Sequence, residues 1–199
     1  MKKIALTLII AGTLTVPLTG QQTAPYGIID PPYERASHFS EWKARVAKGG
    51  LWGYIDKKGN TVIPHQFDLT SGFSEGLAAV YRDYLWGYID AKGSMAVPLQ
   101  LKEASVFSGG RAAGRKGDKW GYLNKAAKAV TPFQFDKAAD CSEGMAAVSM
   151  NGLYGYIDQS GKMAVPPAYH NANDFSEGLA AVGKDYRWGY IDRKGNLTV

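Results

Sequence analysis

Short apolar stretches alternate with polar turns along most of the chain. In the stretch Trp86–Asp90, Trp86 and Tyr88 project to one face of an extended strand and Ile89 projects to the other. The preceding stretch, Gly76–Tyr81, combines two alanines with valine and tyrosine, which favour a strand packed close to its neighbours. Each of these stretches is therefore predicted to be a β-strand.

A third apolar stretch, Met95–Val97, precedes Pro98, which has no backbone N–H and predicts the end of a strand. Asp90 and Gly93 lie just before it and are typical turn residues. The segment Leu99–Gly110 is more polar, and a loop or a single helical turn is predicted there. One unit is therefore predicted to be a three-stranded antiparallel meander with a return segment.

This unit recurs at a constant interval of 34 residues. The W-G-Y-I-D strand and its variants begin at Trp52, Trp86, Trp120, Tyr154 and Trp188. The F-S-E-G turn and its variants begin at Phe39, Phe73, Phe107, Cys141 and Phe175. A proline recurs at Pro64, Pro98, Pro132 and Pro166. Three landmarks with one spacing and no insertion predict a tandem repeat array.

These motifs resemble the WG-repeat family, which is named for its Trp-Gly pair. The resemblance extends over about residues 26 to 199 and implies a β-rich repeat architecture, often in proteins of unassigned function. It supplies no catalytic residues. The sequence departs from the pattern at Tyr154, which replaces the tryptophan, and at Asn124 and Ala127, which replace the turn Asp and Gly.

A single meander is barely stable in water, so the units are expected to stack on one another. We expect an all-β, open, solenoid-like array of five units of about 34 residues, preceded by a partial N-terminal unit. The alternative is a closed, five-bladed propeller-like ring in which the C-terminal strand completes the N-terminal unit. This alternative arises because Thr198 and Val199 fall in the same phase of the repeat as Ile28 and Ile29.

Residues 1–24 have the order of a secretory signal peptide followed by a short linker. Lys2 and Lys3 precede the apolar run Ile4–Leu18, which is shorter than the roughly 20 residues of a membrane span. An uncleaved N-terminal anchor is the alternative. The repeat domain is therefore assigned to residues 25–199, with no membrane span after cleavage. Export to the periplasm or the exterior is expected, and the sequence does not decide between these compartments.

The charge pattern argues against a nucleic-acid partner. The net charge is +5, and the lysines and arginines outside the signal alternate with aspartates at the turns instead of forming one basic stripe. The three histidines occupy different phases of the repeat, and Cys141 is the single cysteine. We expect no metal, no cofactor and no enzymatic activity, with the D-x-x-G motifs acting as turns and not as calcium loops.

The aromatic series is the candidate ligand-facing feature, because regularly spaced rings can stack on sugars or anchor a protein. Its alternative role is to form the core between units. On the first interpretation, the chain is a noncatalytic scaffold for a protein or cell-surface partner, or else a module that binds glycan or cell-wall polysaccharide. The candidate residues are Trp52, Tyr54, Trp86, Tyr88, Trp120, Tyr122, Tyr154, Tyr156, Trp188 and Tyr190.

Overall fold

The computed structural model describes residues 32–199, so the predicted signal peptide and the start of the repeat domain lie outside the described residues. The described chain is all-β. It contains no helix with the length and apolar character that a membrane crossing requires.

The strands of residues 32–199 form five separate antiparallel sheets, which we number I to V along the chain. Sheet I contains β1 (Arg35–Ser40), β2 (Lys43–Lys48), β3 (Leu51–Ile55) and β4 (Thr61–Phe67). Sheet II contains β5 (Leu69–Thr70), β6 (Leu77–Arg82), β7 (Leu85–Asp90) and β8 (Met95–Leu101). Sheet III contains β9 (Glu103–Ala104), β10 (Arg111–Lys116) and β11 (Lys119–Asn124). Sheet IV contains β12 (Lys137–Ala138), β13 (Ala146–Met150), β14 (Leu153–Ile157) and β15 (Met163–Tyr169). Sheet V contains β16 (Asn171–Ala172), β17 (Ala180–Lys184) and β18 (Arg187–Ile191).

Every sheet is a meander in which strands adjacent in sequence are hydrogen-bonded neighbours. Sheets III and V have a rudimentary outer strand in place of a fourth full one. In sheet V it consists of one bridge between Ile191 and Leu197 and two backbone hydrogen bonds between Tyr190 and the Thr198–Val199 segment. The last strand of the array is therefore held to its sheet by few backbone contacts.

Two details of the predicted unit are wrong. Strand β8 does not end at Pro98 but continues to Leu101, because its pairing with β7 shifts register beside the proline and no ladder bond from Pro98 is needed. The return segment contains the short strand β9, and no helical turn lies between Leu99 and Gly110. Sheets I, II and IV therefore contain four strands where three were predicted, and sheets III and V contain three.

The glycine of the WG pair is required by this irregular pairing. A Cβ placed on Gly87 would lie 2.6 Å from the carbonyl oxygen of Val97 and 2.9 Å from the carbonyl carbon of Pro98. A Cβ placed on Gly53 would lie at the same distances from the carbonyl oxygen of Ile63 and the carbonyl carbon of Pro64. The backbone that covers this position belongs to the next strand of the same sheet.

The core lies between successive sheets. Each sheet has a trailing face, directed at the next sheet, and a leading face, directed at the previous one. Tyr88 and Val97 on the trailing face of sheet II pack with Phe107 and Ala112 of sheet III. Equivalent clusters join sheets I and II, III and IV, and IV and V. Among the described residues no core cluster joins sheet V to sheet I, so the array is open.

Candidate functional site

The D-x-x-G motifs form hydrogen-bonded turns. Oδ1 of Asp90 accepts hydrogen bonds from the backbone N–H groups of Lys92 and Ser94, at 2.8 and 2.9 Å. Asp56, Asn124, Asp158 and Asp192 make the same pair of bonds in their own turns. These oxygens are occupied by the backbone of the turn. Residues 32–199 contain no group of three or more acidic, histidine or cysteine side chains placed to hold a metal ion.

The tyrosines of the candidate series hold successive sheets together. The hydroxyl of Tyr88 donates to the carbonyl oxygen of Ser105 at 2.6 Å, and the ring of Phe107 meets the tyrosine ring edge-on at 4.9 Å. Tyr54, Tyr122 and Tyr156 each donate to the carbonyl 17 residues further along the chain. Burial raises the pKa of Tyr54 to about 12 because the ionised phenolate would lose its hydration.

Serine and glutamate of the F-S-E-G turn also reach the next sheet. Oγ of Ser142 donates to the carbonyl oxygen of Phe175 at 2.7 Å. The carboxylate of Glu143 accepts from the N–H groups of Glu177 and Gly178, at 2.7 and 2.9 Å. The guanidinium of Arg193, together with these amides, lowers the pKa of Glu143. The F-S-E-G motif is therefore an inter-unit clasp.

The junction between sheets III and IV is built differently. Arg111 replaces the usual leucine or methionine, and Cys141 replaces the phenylalanine that other units place at this position. The buried guanidinium donates from Nε to the sulfur of Cys141 at 2.7 Å and lies over the ring of Tyr122. It also donates to the carbonyl oxygens of Gly144 and Asp158. The two substitutions therefore compensate each other. Both depart from the repeat pattern at positions that meet at the same junction, and this coincidence was not used in predicting the site.

Burial divides the candidate aromatic residues into two groups. The first group lies between sheets, where Tyr54, Tyr88, Tyr122 and Tyr156 are buried and Trp52, Trp86, Trp120 and Tyr154 are half-buried. The second group is Trp188 and Tyr190 on sheet V, whose exposed fractions are 61% and 47%. The four buried tyrosines are therefore part of the core, Trp86 and Trp120 pack against it, and the second group is accessible to a ligand.

The trailing face of sheet V differs from the others because no described sheet follows it. The hydroxyl of Tyr190 makes no hydrogen bond within residues 32–199, and the side chains of Ser176 and Glu177, which clasp the next sheet elsewhere, are exposed. Beside Trp188 lies a groove of about 330 Å³, lined also by His170, Asn171, Gly183, Lys184, Asp185 and Arg187.

Gly183 creates the space for this groove. In sheet II the equivalent residue is Tyr81, whose ring packs on Trp86 with centroids 5.1 Å apart. With glycine at this position, the backbone is buried and the indole of Trp188 has no side chain beside it from β17. The sequence signal was a glycine at a phase where the other units carry alanine, tyrosine, arginine or serine.

The stacked meanders with their inter-sheet clasps define a tandem β-repeat scaffold. The family model described as WG containing repeat matches residues 52–86, 86–120, 120–154 and 154–188. The chain therefore belongs to the WG-repeat family, as its motifs predicted. No curated protein matches the chain.

The solved structures that resemble this chain have low sequence identity to it. A eukaryotic initiation factor matches with a TM-score of 0.55 and 9% identity, over 86% of this chain and 56% of that one. Hsv2p of Kluyveromyces lactis matches with a TM-score of 0.50 and 12% identity, over 85% of this chain and 63% of that one. The extracellular domain of a putative one-component system from B. thetaiotaomicron has a TM-score of 0.44 and 11% identity, over 82% of this chain and 28% of that one. The chain spans less than two thirds of each of these proteins, and the likeness to the first two concerns the fold alone.

Proposed function

We propose that the chain is an exported, noncatalytic repeat scaffold that binds a protein at the surface or in the envelope of the cell. The observation that carries the proposal is the contrast within the aromatic series. The positions whose rings are half-buried or buried in the inner units present Trp188 and Tyr190 to solvent in sheet V. Exposed aromatic rings bordered by polar groups are typical of protein interaction surfaces.

The noncatalytic part of the proposal is supported by how the acidic side chains are used. The aspartates of the turns and the glutamates of the clasps accept hydrogen bonds from backbone amides. Such carboxylates hold the fold and are not free to exchange protons with a substrate. The export part rests on the pattern of residues 1–24, and N-terminal sequencing of the mature protein should give a start near residue 25.

Site-specific photocrosslinking tests the interaction surface in the producing cell. A photoreactive residue in place of Trp188 is expected to capture a protein partner. The matched control places the same group at Trp120, which occupies the same phase of the repeat but is half-buried between sheets. Equal capture from both positions, or none from position 188, would contradict the proposal.

A glycan-binding role is the second candidate, and the groove beside Trp188 favours it. An exposed indole can stack on the apolar face of a sugar ring, and Asn171 and Asp185 offer hydrogen-bonding groups at its edge. The inner ladder does not contribute, because its tyrosines are buried. Tyr84, in the turn between β6 and β7, is exposed and serves as the control position. Retention of the protein on purified peptidoglycan, lost on Trp188→Ala and kept on Tyr84→Ala, would support this role. Absence of retention by the folded protein would remove it.

A further inference from the structure

We infer that the junction between sheets I and II contains a binding site for a carboxylate group, centred on Arg45. The site is separate from the Trp188 surface of sheet V and goes beyond the proposed function. Three features of the junction carry the inference. They are two polar residues that break the repeat pattern, two buried polar atoms without partners, and an arginine that forms no ion pair within residues 32–199.

Arg45 and Thr70 are polar residues at positions where the other repeats have alanine. The residues in the same phase as Arg45 are Ala79, Ala113, Ala147 and Ala181. Those in the same phase as Thr70 are Ala36, Ala104, Ala138 and Ala172. The repeat therefore folds with a methyl group at both positions, and the fold itself does not require a guanidinium or a hydroxyl there.

Both side chains face the space between sheets I and II. Arg45 pairs with Tyr54 across β2 and β3, which places it on the trailing face of sheet I. Thr70 pairs with Val80, which belongs to the core cluster between the two sheets. The guanidinium of Arg45 donates from Nη1 to the carbonyl oxygen of Thr70, and its Cζ lies 5.4 Å from the centre of the Trp52 ring. These two contacts hold the guanidinium in one orientation.

Two polar atoms at this junction lack a hydrogen-bond partner in the described part of the chain. They are Nε of Arg45 and Oγ1 of Thr70, and both atoms are buried. Thr70 is 7% exposed, and the hydroxyl of Tyr54 beside it donates instead to the carbonyl oxygen of Ser71, at 2.8 Å. A buried polar group without a partner is unfavourable, so two of them in contacting residues indicate a bound group that supplies the missing bonds.

The free edge of the Arg45 guanidinium matches a carboxylate. Because Nη1 is bonded to Thr70, the donors that remain are Nε and Nη2, which lie along one side of the planar group. Two parallel N–H groups of this kind bind both oxygens of a carboxylate at once. The hydroxyl of Thr70 is a further donor and would bind the same carboxylate.

No acidic side chain of residues 32–199 pairs with the cations of this face. None of the ion pairs in that range includes Arg45 or Lys43, which lies two positions earlier on the same face of β2. The Nζ of Lys43 lies 5.0 Å from the centre of the Phe73 ring. Both cations are half-buried. A carboxylate bound between the sheets is therefore attracted by two charges that solvent screens less than it screens exposed ones.

An NMR titration of the purified protein with sodium acetate tests the site. Sodium chloride at the same ionic strength is the reference, since it removes the general effect of salt. The Nε–H signal of Arg45 and the amide signal of Thr70 should shift to saturation, with a dissociation constant on the order of 1 to 10 mM. Chloride should leave both signals in place.

The repeat pattern supplies variants that are expected to fold, because Arg45→Ala and Thr70→Ala each introduce the residue of the other repeats. Arg45→Ala should abolish the saturable shift at Thr70, and Thr70→Ala should weaken acetate binding about fivefold. Arg45→Lys keeps the charge but loses the two-donor edge, so binding should weaken at least about tenfold. Arg82→Ala removes an exposed arginine of sheet II and is the matched control, which should bind acetate like the parent.

A capped peptide with a single glutamate identifies the origin of the carboxylate. Tighter binding of the peptide than of acetate would assign the site to an acidic side chain of a peptide, and binding no tighter would assign it to a small carboxylic acid. Either result supports a carboxylate site.

A response to acetate no larger than the response to chloride would overturn the inference, because a buried water would then account for the two unpartnered atoms. An equal response of Arg45→Ala and the parent would also overturn it. So would tighter binding of inorganic phosphate than of acetate. These outcomes leave the photocrosslinking test of the proposed function unaffected, because that test concerns the Trp188 surface.

Discussion

Tyr88 and Tyr190 occupy the same position in two repeats, yet their surroundings differ completely. Tyr88 is 1% exposed, donates to Ser105 and meets the ring of Phe107. Tyr190 has none of these contacts within the described chain. The residue type and local strand are the same, so the difference comes entirely from the presence of a following sheet. A repeat position therefore has no fixed role, and its place in the array decides between core and surface.

Replacing each of the two tyrosines by alanine should give the largest difference in the loss of unfolding free energy. Tyr88→Ala removes a buried ring and leaves a cavity between sheets II and III, for an expected loss of about 4 kcal/mol in the free energy of unfolding. Tyr190→Ala removes a ring that solvent already reaches, and a loss below about 1 kcal/mol is expected. Urea denaturation of dilute protein measures both. Similar losses for the two variants would contradict the contrast between inner and terminal faces.

The WG glycines should show the next largest effect. In Gly87→Val the new side chain would collide with the backbone of β8, and a loss of about 3 kcal/mol is expected. In Gly189→Val the nearest atoms are the exposed Leu197 side chain and the terminal Val199 carbonyl, which can move aside. The loss should then be less than half as large. A thermal melt of Gly87→Val that matches the parent would overturn the steric explanation of the motif.

Alkaline pH should loosen the inner junctions. The pKa of Tyr54 is raised by burial from 10 to about 12, so the unfolded chain ionises first as the pH rises. Stability from this group is present below pH 10 and is lost at about 1.4 kcal/mol per pH unit between 10 and 12. Denaturation midpoints measured across this interval should fall less steeply for Tyr54→Phe than for the parent. An unchanged slope would show that the Tyr54 hydroxyl is not buried.

Loss of a single hydroxyl should give the smallest contrast. Tyr88→Phe keeps the ring and leaves the carbonyl of Ser105 without its donor, for an expected loss of about 1 kcal/mol. Tyr190→Phe removes a hydroxyl that makes no bond to described residues, so no measurable change is expected in dilute protein. Chemical denaturation with several repeats resolves this difference. A larger effect for Tyr190→Phe would mean that its hydroxyl is engaged.

Most of the strands and turns could be predicted from the sequence because the same local motif recurs every 34 residues. The WG strand and the D-x-x-G turn were each predicted from residue type and spacing. The extent of β8 was not, because Pro98 ends a regular strand but is tolerated where the pairing is irregular. The two-residue strands β5, β9, β12 and β16 are too short to produce an alternating pattern.

The candidate site was predicted only in part. The aromatic series was identified, but its ten members look alike in sequence, and only the stacking order separates the buried tyrosines from Trp188 and Tyr190. The reach of Glu143 to the next sheet was missed because its partner lies 35 residues further on. Gly183 and Arg45 carried a signal, since each breaks the residue pattern of its phase.

Hydroxyl-radical footprinting of dilute protein tests the open array most directly, by comparing oxidation of Tyr88 and Tyr190 within one molecule. Tyr84, at an exposed hairpin tip, serves as the internal standard for a fully accessible tyrosine. An open array predicts that Tyr190 is oxidised at a rate approaching that of Tyr84, while Tyr88 stays protected. Protection of Tyr190 equal to that of Tyr88 in a monomer would contradict the account, because it would mean that another part of the same chain covers the trailing face of sheet V.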